Sequence, residues 1–337
     1  MIKYILTTNP GIEDIVIAEV KEKLKLNAKQ GEFAGRVELE TENWKRLLKL
    51  RSIYHIIRFV DKFKFKTLND IYKKLCSLEI PELINASSFR VTSKRRGVHK
   101  FSSMELQKIA GQALVDKYHK KVSLKEFDIE ILVDAYGNEC FVGVCLTKES
   151  LHKRYERVFD HPTALKHPLA YAMLKLADVK AGFSLLDPFC GSGTIPIEAA
   201  LNFDGRIKIF ASDINEEFIK GARTNAEKAG VKELIKFKIA DASQLNKFYS
   251  KNFFDVVITN PPYGARMRIK NLKQLYKNFL ESAASILKQH GKIVVIALRA
   301  NSFRDLVFKT KLYCLEHERV VDLGNLWPHI FVLRKLN

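Results

Sequence analysis

Two stretches constrain the fold more than anything else in the chain. They are Leu185-Leu186-Asp187-Pro188-Phe189-Cys190-Gly191-Ser192-Gly193-Thr194-Ile195 and Asp255-Val256-Val257-Ile258-Thr259-Asn260-Pro261-Pro262-Tyr263-Gly264. Each runs from an apolar segment into a tight loop. Short Val/Ile/Leu runs bounded by Gly and Pro mark strands buried on both faces, as in a parallel sheet. In such a sheet the ligand crevice lies beyond the carboxyl ends of the strands, so both loops are expected to face one crevice.

Gly191 and Gly193 precede an apolar helical run, Ile195 to Leu201. Glycine lets the backbone take positive φ and lets a ligand come close. The helix N-terminus behind the loop favours an anionic group. A dinucleotide fingerprint would need a third glycine where Pro196 stands, which argues against NAD. A cofactor with one carboxylate and no phosphate, such as S-adenosylmethionine, suits the loop. Asp213 ends the strand-like Ile207 to Ser212. It lies about 20 residues past Gly193, the spacing at which a carboxylate meets ribose hydroxyls. Asp241 follows Ile235 to Ala240, where it can accept from an adenine amine. Each Asp singly also fits a plain helix cap. Asp187, Asp213 and Asp241 at successive strand ends, followed by Asn260, form a stronger pattern. The expected cofactor site is Asp187, Pro188, Gly191, Ser192, Gly193, Thr194, Asp213, Ile214, Asp241, Ala242 and Asn260.

The expected catalytic residues are Asn260, Pro261, Pro262 and Tyr263. An exocyclic amine on a base is a poor nucleophile, because its lone pair is delocalised into the ring. The Asn260 carboxamide oxygen and the Pro261 carbonyl can accept both N–H hydrogens and aim the lone pair at a methyl donor. Pro262 removes a competing donor and stiffens the turn. Tyr263 offers a flat face for a base flipped out of its helix. No strong base is needed, since a proton leaves once the amine becomes cationic. Catalysis then rests on placement and preorganised dipoles.

The chain has 337 residues, enough for two domains, and a formal net charge of +19 spread over both halves. Such a charge points to a polyanionic partner, although a Lys-rich solvated surface gives the same total. Cys76, Cys140, Cys145, Cys190 and Cys314 are odd in number and scattered, with no C-x-x-C and no His/Cys cluster. No structural zinc, other metal or disulfide framework is expected, and a reducing cytoplasm fits. No signal peptide and no apolar run of roughly 18 residues is present, so no membrane association is expected. The chain is expected to act as a monomer.

In the N-terminal half, Lys3 to Thr8, Phe33 to Leu39 and Tyr54 to Phe63 are predicted strands. Ile12, Ile15, Val16, Val20 and Leu24 mark one helix face between the first two, and Trp44 to Leu50 is a short predicted helix. Further helices are expected over Leu68 to Leu78 and Ser103 to Tyr118, the latter capped by Ser102 or Ser103. Ser88 to Ser93 is a predicted strand, and Phe127 to Ala135 with Cys140 to Thr147 a hairpin around Tyr136-Gly137-Asn138. Between them runs a basic loop whose Lys94, Arg95, Arg96, His99 and Lys100 can hold phosphates. A charge run also fits a merely solvated loop. Beyond a polar linker, strands are expected near 183–187, 207–212, 235–240, 254–259, 291–298, 313–321 and 327–334. Arg266 and Arg268, past the second motif, are candidates for steering RNA phosphates.

Asp-Pro-Phe-Cys-Gly-Ser-Gly-Thr and Asn-Pro-Pro-Tyr-Gly resemble the motifs of class I S-adenosylmethionine-dependent methyltransferases that act on amino groups. More narrowly, nearly the whole chain resembles the THUMP-containing RNA guanine-N2 methyltransferases, and among them the tRNA guanosine-6 N2-methyltransferase family. The resemblance implies an α/β fold: a Rossmann-like methyltransferase domain with a seven-stranded, mostly parallel sheet, preceded by an α+β ferredoxin-like plus THUMP region. The domains implied are a ferredoxin-like subdomain at 1–55, THUMP at 56–148, a linker at 149–166 and the methyltransferase at 167–337. It also implies S-adenosyl-L-methionine as cofactor, tRNA as partner with its acceptor end near the basic loop, and a segment around Lys166 lying over the cofactor.

The close rival is a 23S rRNA guanine-N2 methyltransferase with the same domain order. That family carries a long insertion where this chain has Asn202-Phe203-Asp204-Gly205, which favours the tRNA enzyme. A DNA adenine enzyme would want a DNA-recognition module, and a protein-glutamine enzyme would not need the charge. A non-catalytic RNA-binding scaffold is the alternative from another class, against which stand the intact Asp187, Asp213, Asp241 and Asn260. A sulfur-inserting THUMP enzyme would need a Ser-Gly-Gly-x-Asp-Ser loop, which is missing.

Overall fold

The computed structural model describes residues 1–160, 164–263 and 271–336. It divides into two units, Met1–Thr7 with Ile17–Leu151, and Thr8–Val16 with His152–Asn337.

In the first unit a nine-stranded mixed sheet is built around His55–Lys64, which pairs antiparallel with Ile2–Thr7 on one side and Glu139–Cys145 on the other. The boundary expected between residues 55 and 56 falls at the start of this strand, so both sides of it share one sheet. Ile129–Tyr136 and Glu139–Cys145 form the expected hairpin, with Gly137 at positive φ in the turn. Two helices, Leu68–Ser77 and Ser103–Tyr118, cover a core of Ile71, Leu75, Leu106, Leu114, Ile131 and Val133. Both start in a capping box, Thr67 with Asp70 and Ser102 with Glu105, so two orphan N–H groups are satisfied at each helix start.

Two strands of this sheet differ from expectation. Phe33 is not in a strand: Gly35 takes positive φ, Arg36 N–H bonds back to Phe33 O, and the strand begins at Arg36. Ala28–Gln30 then pairs with Arg36–Thr41, although its sequence carries no apolar pattern.

The second unit is a seven-stranded sheet. Its strands are β1 (Ser184–Asp187), β2 (Lys208–Asp213), β3 (Ile235–Ile239), β4 (Phe254–Thr259), β5 (Leu287–Ala297), β6 (Tyr313–Val320) and β7 (His329–Lys335). The spatial order is β3-β2-β1-β4-β5-β7-β6, parallel throughout except at β7, which is antiparallel to both neighbours. Among the described residues, five α-helices accompany it: α1 (His167–Leu176), α2 (Thr194–Phe203), α3 (Glu216–Lys228), α4 (Leu272–Ile286) and α5 (Ala300–Thr310). The strand pleat sends alternate residues to opposite faces. Leu185, Val256, Ile258, Val294 and Ile296 pack with α1, α2 and α3, while Leu186, Val257, Ile293 and Val295 pack with α4 and α5. That two-sided burial is why these strands read as continuous apolar runs.

The segment Thr8–Val16 groups with this second unit, which the expected domain limits did not anticipate. Asn9 Nδ2 donates to Asp322 O at 2.8 Å, and Arg319 pairs with Asp14 at 2.7 Å. At Gly11 a Cβ would stand 2.2 Å from Val320 O, so only glycine allows this approach.

Candidate active site

The carboxyl ends of β1, β2, β3 and β4 open into a cavity of about 400 Å³. All the expected cofactor residues line it except Gly193. Gly191 and Gly193 both take positive φ, at 49° and 83°. Gly193 sits behind the cavity wall, where a Cβ would press on Ala222 of α3 at 3.1 Å. Its glycine identity is therefore explained by turn geometry and helix packing.

The three strand-end carboxylates are held differently. Asp187 is fully buried; its Oδ1 accepts from Thr259 Oγ1 at 2.7 Å and from Phe189 N–H at 3.2 Å. Burial pushes its carboxyl up to about 7, against the pull of those two hydrogen bonds. Asp213 accepts from Gly191 N–H and from Asn215 N–H, both at 3.1 Å, and so ties the end of β2 to the glycine loop. Asp241 accepts from Ser243 N–H at 2.8 Å and caps the 3₁₀ turn Ala242–Lys247. Capping and cavity lining thus coexist at Asp241, and the two readings of such an Asp are not exclusive.

Asn260 follows β4 and lines the cavity with Pro262. Its Oδ1 accepts from the Tyr263 hydroxyl at 2.6 Å, and Pro262 O accepts from the Tyr276 hydroxyl at 2.9 Å. The Tyr263 ring is partly buried against the apolar core. This differs from the open stacking face expected from sequence: the tyrosine hydroxyl satisfies the carboxamide oxygen within the turn. Burial holds both phenols far above their usual range, so each remains a donor. Pro261 is buried and does not line the cavity. Arg266 and Arg268 lie outside the described residues.

Residues 154–328 match the RMKL-like methyltransferase domain, and residues 65–144 match the THUMP domain. The chain is 34% identical to a tRNA (guanine(6)-N2)-methyltransferase of Thermus thermophilus, over 98% of each protein. It is 32% identical to one of Archaeoglobus fulgidus, over 98% of this chain and 92% of the other. The crystal structure of TrmN from Thermus thermophilus superposes with a TM-score of 0.88 over 100% of both chains, at 33% identity. The chain belongs to the tRNA guanine-N2 methyltransferase family.

Several cavity residues of this methyltransferase were not singled out from sequence. Phe218 and Asn215 come from the start of α3 and Leu275 from α4, while Ala164 and Leu165 belong to the segment before α1 that the resemblance had placed near the cofactor. Of these, Asn215 carried a signal, as an Asn two residues past a strand-end Asp at a helix start. It caps α3 by accepting from Glu217 N–H at 2.8 Å. Lys166 is the N-cap of α1 and does not line the cavity. Among the described residues no cluster of His, Cys, Asp and Glu could hold a metal, and no helix is long and apolar enough to cross a membrane.

In the THUMP part of the methyltransferase, Lys94, Arg95, Arg96 and Lys100 are exposed. Arg95–Arg96 forms a short strand beside Ala135 and Tyr136, an ordering that the sequence did not signal. His99 faces the other way. Its Nε2 bonds Gly137 O at 2.7 Å and its ring packs 4.9 Å from Phe101, so it braces the loop from within. The fully buried Asp134 anchors the region, accepting from Lys94 N–H at 2.8 Å and from Arg36 Nη2 at 2.9 Å. Arg36 in turn lines a second cavity of about 390 Å³, walled by the stacked rings of Phe33 and Tyr136, 3.8 Å apart.

Proposed function

We propose that this enzyme methylates the exocyclic N2 of the guanosine at position 6 in the tRNA acceptor stem, with the base flipped onto the Asn260-Pro261-Pro262-Tyr263 loop. The observation that carries the reading is the convergence of Asp187, Asp213, Asp241 and Asn260 on one cavity. Its methyl donor is S-adenosylmethionine. The donor set fits that molecule: two strand-end carboxylates for hydroxyl and amine groups, a buried carboxyl for an ammonium, and a volume within the usual range for ligand pockets.

Asp213 would hold the ribose hydroxyls and Asp241 the adenine amine, with Ile214 and Ala242 as apolar flanks. Asp187 would face the amino group of the methionine part, and the turn of Gly191 and Ser192 gives the close backbone approach. When bound, the cofactor would supply an electrophilic methyl group on its sulfur for the amine nitrogen, with S-adenosylhomocysteine as the other product. Asn260 Oδ1 and Pro261 O accept the two N–H hydrogens of the guanine amine and orient its lone pair. Tyr263 leaves both its bond to Asn260 and its core contacts as the base enters, and stacks on it instead. The proton leaves to solvent from the methylated, cationic amine. Much of the rate gain comes from this placement.

Residues 56–148 carry the RNA in this proposal. There the exposed Lys94, Arg95, Arg96 and Lys100 would meet phosphates; the aromatic-walled cavity beside Arg36, lined mostly by residues 3–38, would add a place for an unpaired nucleotide from outside those limits. The five free cysteines fit the reducing cytoplasm, where the enzyme acts as a monomer; a dimer in sedimentation equilibrium would refute that last point. The functional test is incubation with labelled S-adenosylmethionine and unmodified tRNA transcripts, followed by nucleoside mass spectrometry. N2-methylguanosine at position 6 is expected. Product on 23S rRNA alone would transfer the assignment to the ribosomal substrate.

A further inference from the structure

Just before the cavity-lining Ala164 and Leu165, residues 155–160 run against α3. Asn225 of α3 is fully buried and lies outside the cavity lining. Its Oδ1 accepts from Val158 N–H and Phe159 N–H, both at 3.0 Å. Its Nδ2 donates to Phe159 O at 2.8 Å and to Ser192 O at 3.0 Å. Both lone pairs and both N–H groups of the carboxamide are thereby used. One side chain therefore ties the segment before the methyltransferase core to the glycine loop.

Two neighbours reinforce the tie. Gly221 lies one turn earlier on α3, and there a Cβ would stand 2.2 Å from the Phe159 ring. A mid-helix glycine weakens a helix, so its use here is to seat that ring. Arg157 Nη2 donates to Thr194 Oγ1 at 3.0 Å, and Thr194 lines the cavity. Phe159 also packs 6.0 Å from Phe218, another cavity residue.

We infer that Asn225 is a positioning residue for the cofactor site: it locks Val158 and Phe159 to Ser192 and so sets cofactor affinity without touching the cofactor. The inference rests on the S-adenosylmethionine reading of the cavity. A purely structural Asn225 would lower thermal stability and leave the affinity of the folded protein unchanged.

The test uses the full chain and calorimetric titration with S-adenosylmethionine, alongside steady-state kinetics on tRNA transcripts. Asn225→Ala is expected to weaken cofactor affinity about tenfold, as for loss of a buried hydrogen-bond network. The KM for S-adenosylmethionine rises in step, while kcat at saturating cofactor and the KM for tRNA stay near wild type. Gly221→Ala, which unseats Phe159 and leaves Asn225 in place, is expected to weaken affinity as well. Gly221→Ala/Phe159→Ala removes the clash and is expected to regain affinity. If Asn225→Ala fails to fold, the Gly221 pair decides alone. Wild-type affinity in the folded variants overturns the inference. A wild-type protein that does not bind S-adenosylmethionine would instead refute the cofactor reading.

Discussion

The C-terminal sheet carries its cavity residues at successive strand ends, whereas the N-terminal sheet gathers its basic and aromatic face from distant parts of the chain. Asp187 and Asp213 end parallel strands and Asp241 and Asn260 follow them, and the strand order brings the four together. Phe33 and Tyr136 stack, and Asp134 holds both Arg36 and Lys94, only because one mixed sheet gathers the strands on which or beside which they lie. The first design concentrates chemistry in loops with short motifs. The second spreads recognition over a surface where no local motif marks it.

The comparison predicts sharp losses from single changes in the first region and graded ones in the second. Asn260→Ala should cut kcat by about 10²-fold or more while cofactor binding persists, the scale of removing a preorganised dipole. Turnover near wild type in that variant would remove Asn260 from the mechanism.

Asp187 gives the next effect, through pH. Its carboxyl stands near 7 in the protein without cofactor, so it is protonated below that value and charged above it. An ammonium placed beside it favours the charged form, so binding below pH 7 must release a proton. Affinity for S-adenosylmethionine is therefore expected to weaken as pH falls from 7.5 to 5.5, by up to about tenfold per unit at the acid end. Asp187→Asn should flatten that profile; an unchanged profile would dissociate Asp187 from the ligand.

Asp213→Ala should weaken cofactor binding about tenfold by calorimetry, since it removes a ligand acceptor and the bond to Gly191 N–H together. Unchanged affinity would reduce Asp213 to a cap. The smallest change is expected in the N-terminal unit. Arg95→Ala/Arg96→Ala should lower tRNA affinity several-fold and reduce the slope of log affinity against log salt by about 2, as for two lost phosphate contacts. A slope that does not move would take this rim off the RNA.

The same contrast explains what could be read from sequence. Strands β1 and β4 are legible because two-sided burial demands apolar residues at every position, and Gly, Pro and Asp mark their ends. The beginning of β5 was not: it starts at Leu287, four residues before the expected start, because Leu287 pairs with Phe254 ahead of a register shift. Arg95–Arg96 and Ala28–Gln30 were not legible either, since their pairing is dictated by neighbouring strands and their own side chains stay outside the core. The placement of Tyr263 on Asn260 and of Asn225 beneath the glycine loop depends on tertiary contacts alone.

The central claim is that the Asn260 loop accepts the N2 amine of guanosine 6. It is tested most directly with a tRNA transcript carrying inosine, which lacks that amine, at position 6. The account predicts that this transcript still binds but takes up no methyl, while the guanosine control forms N2-methylguanosine there. Methyl transfer to the inosine transcript at the control rate would contradict it.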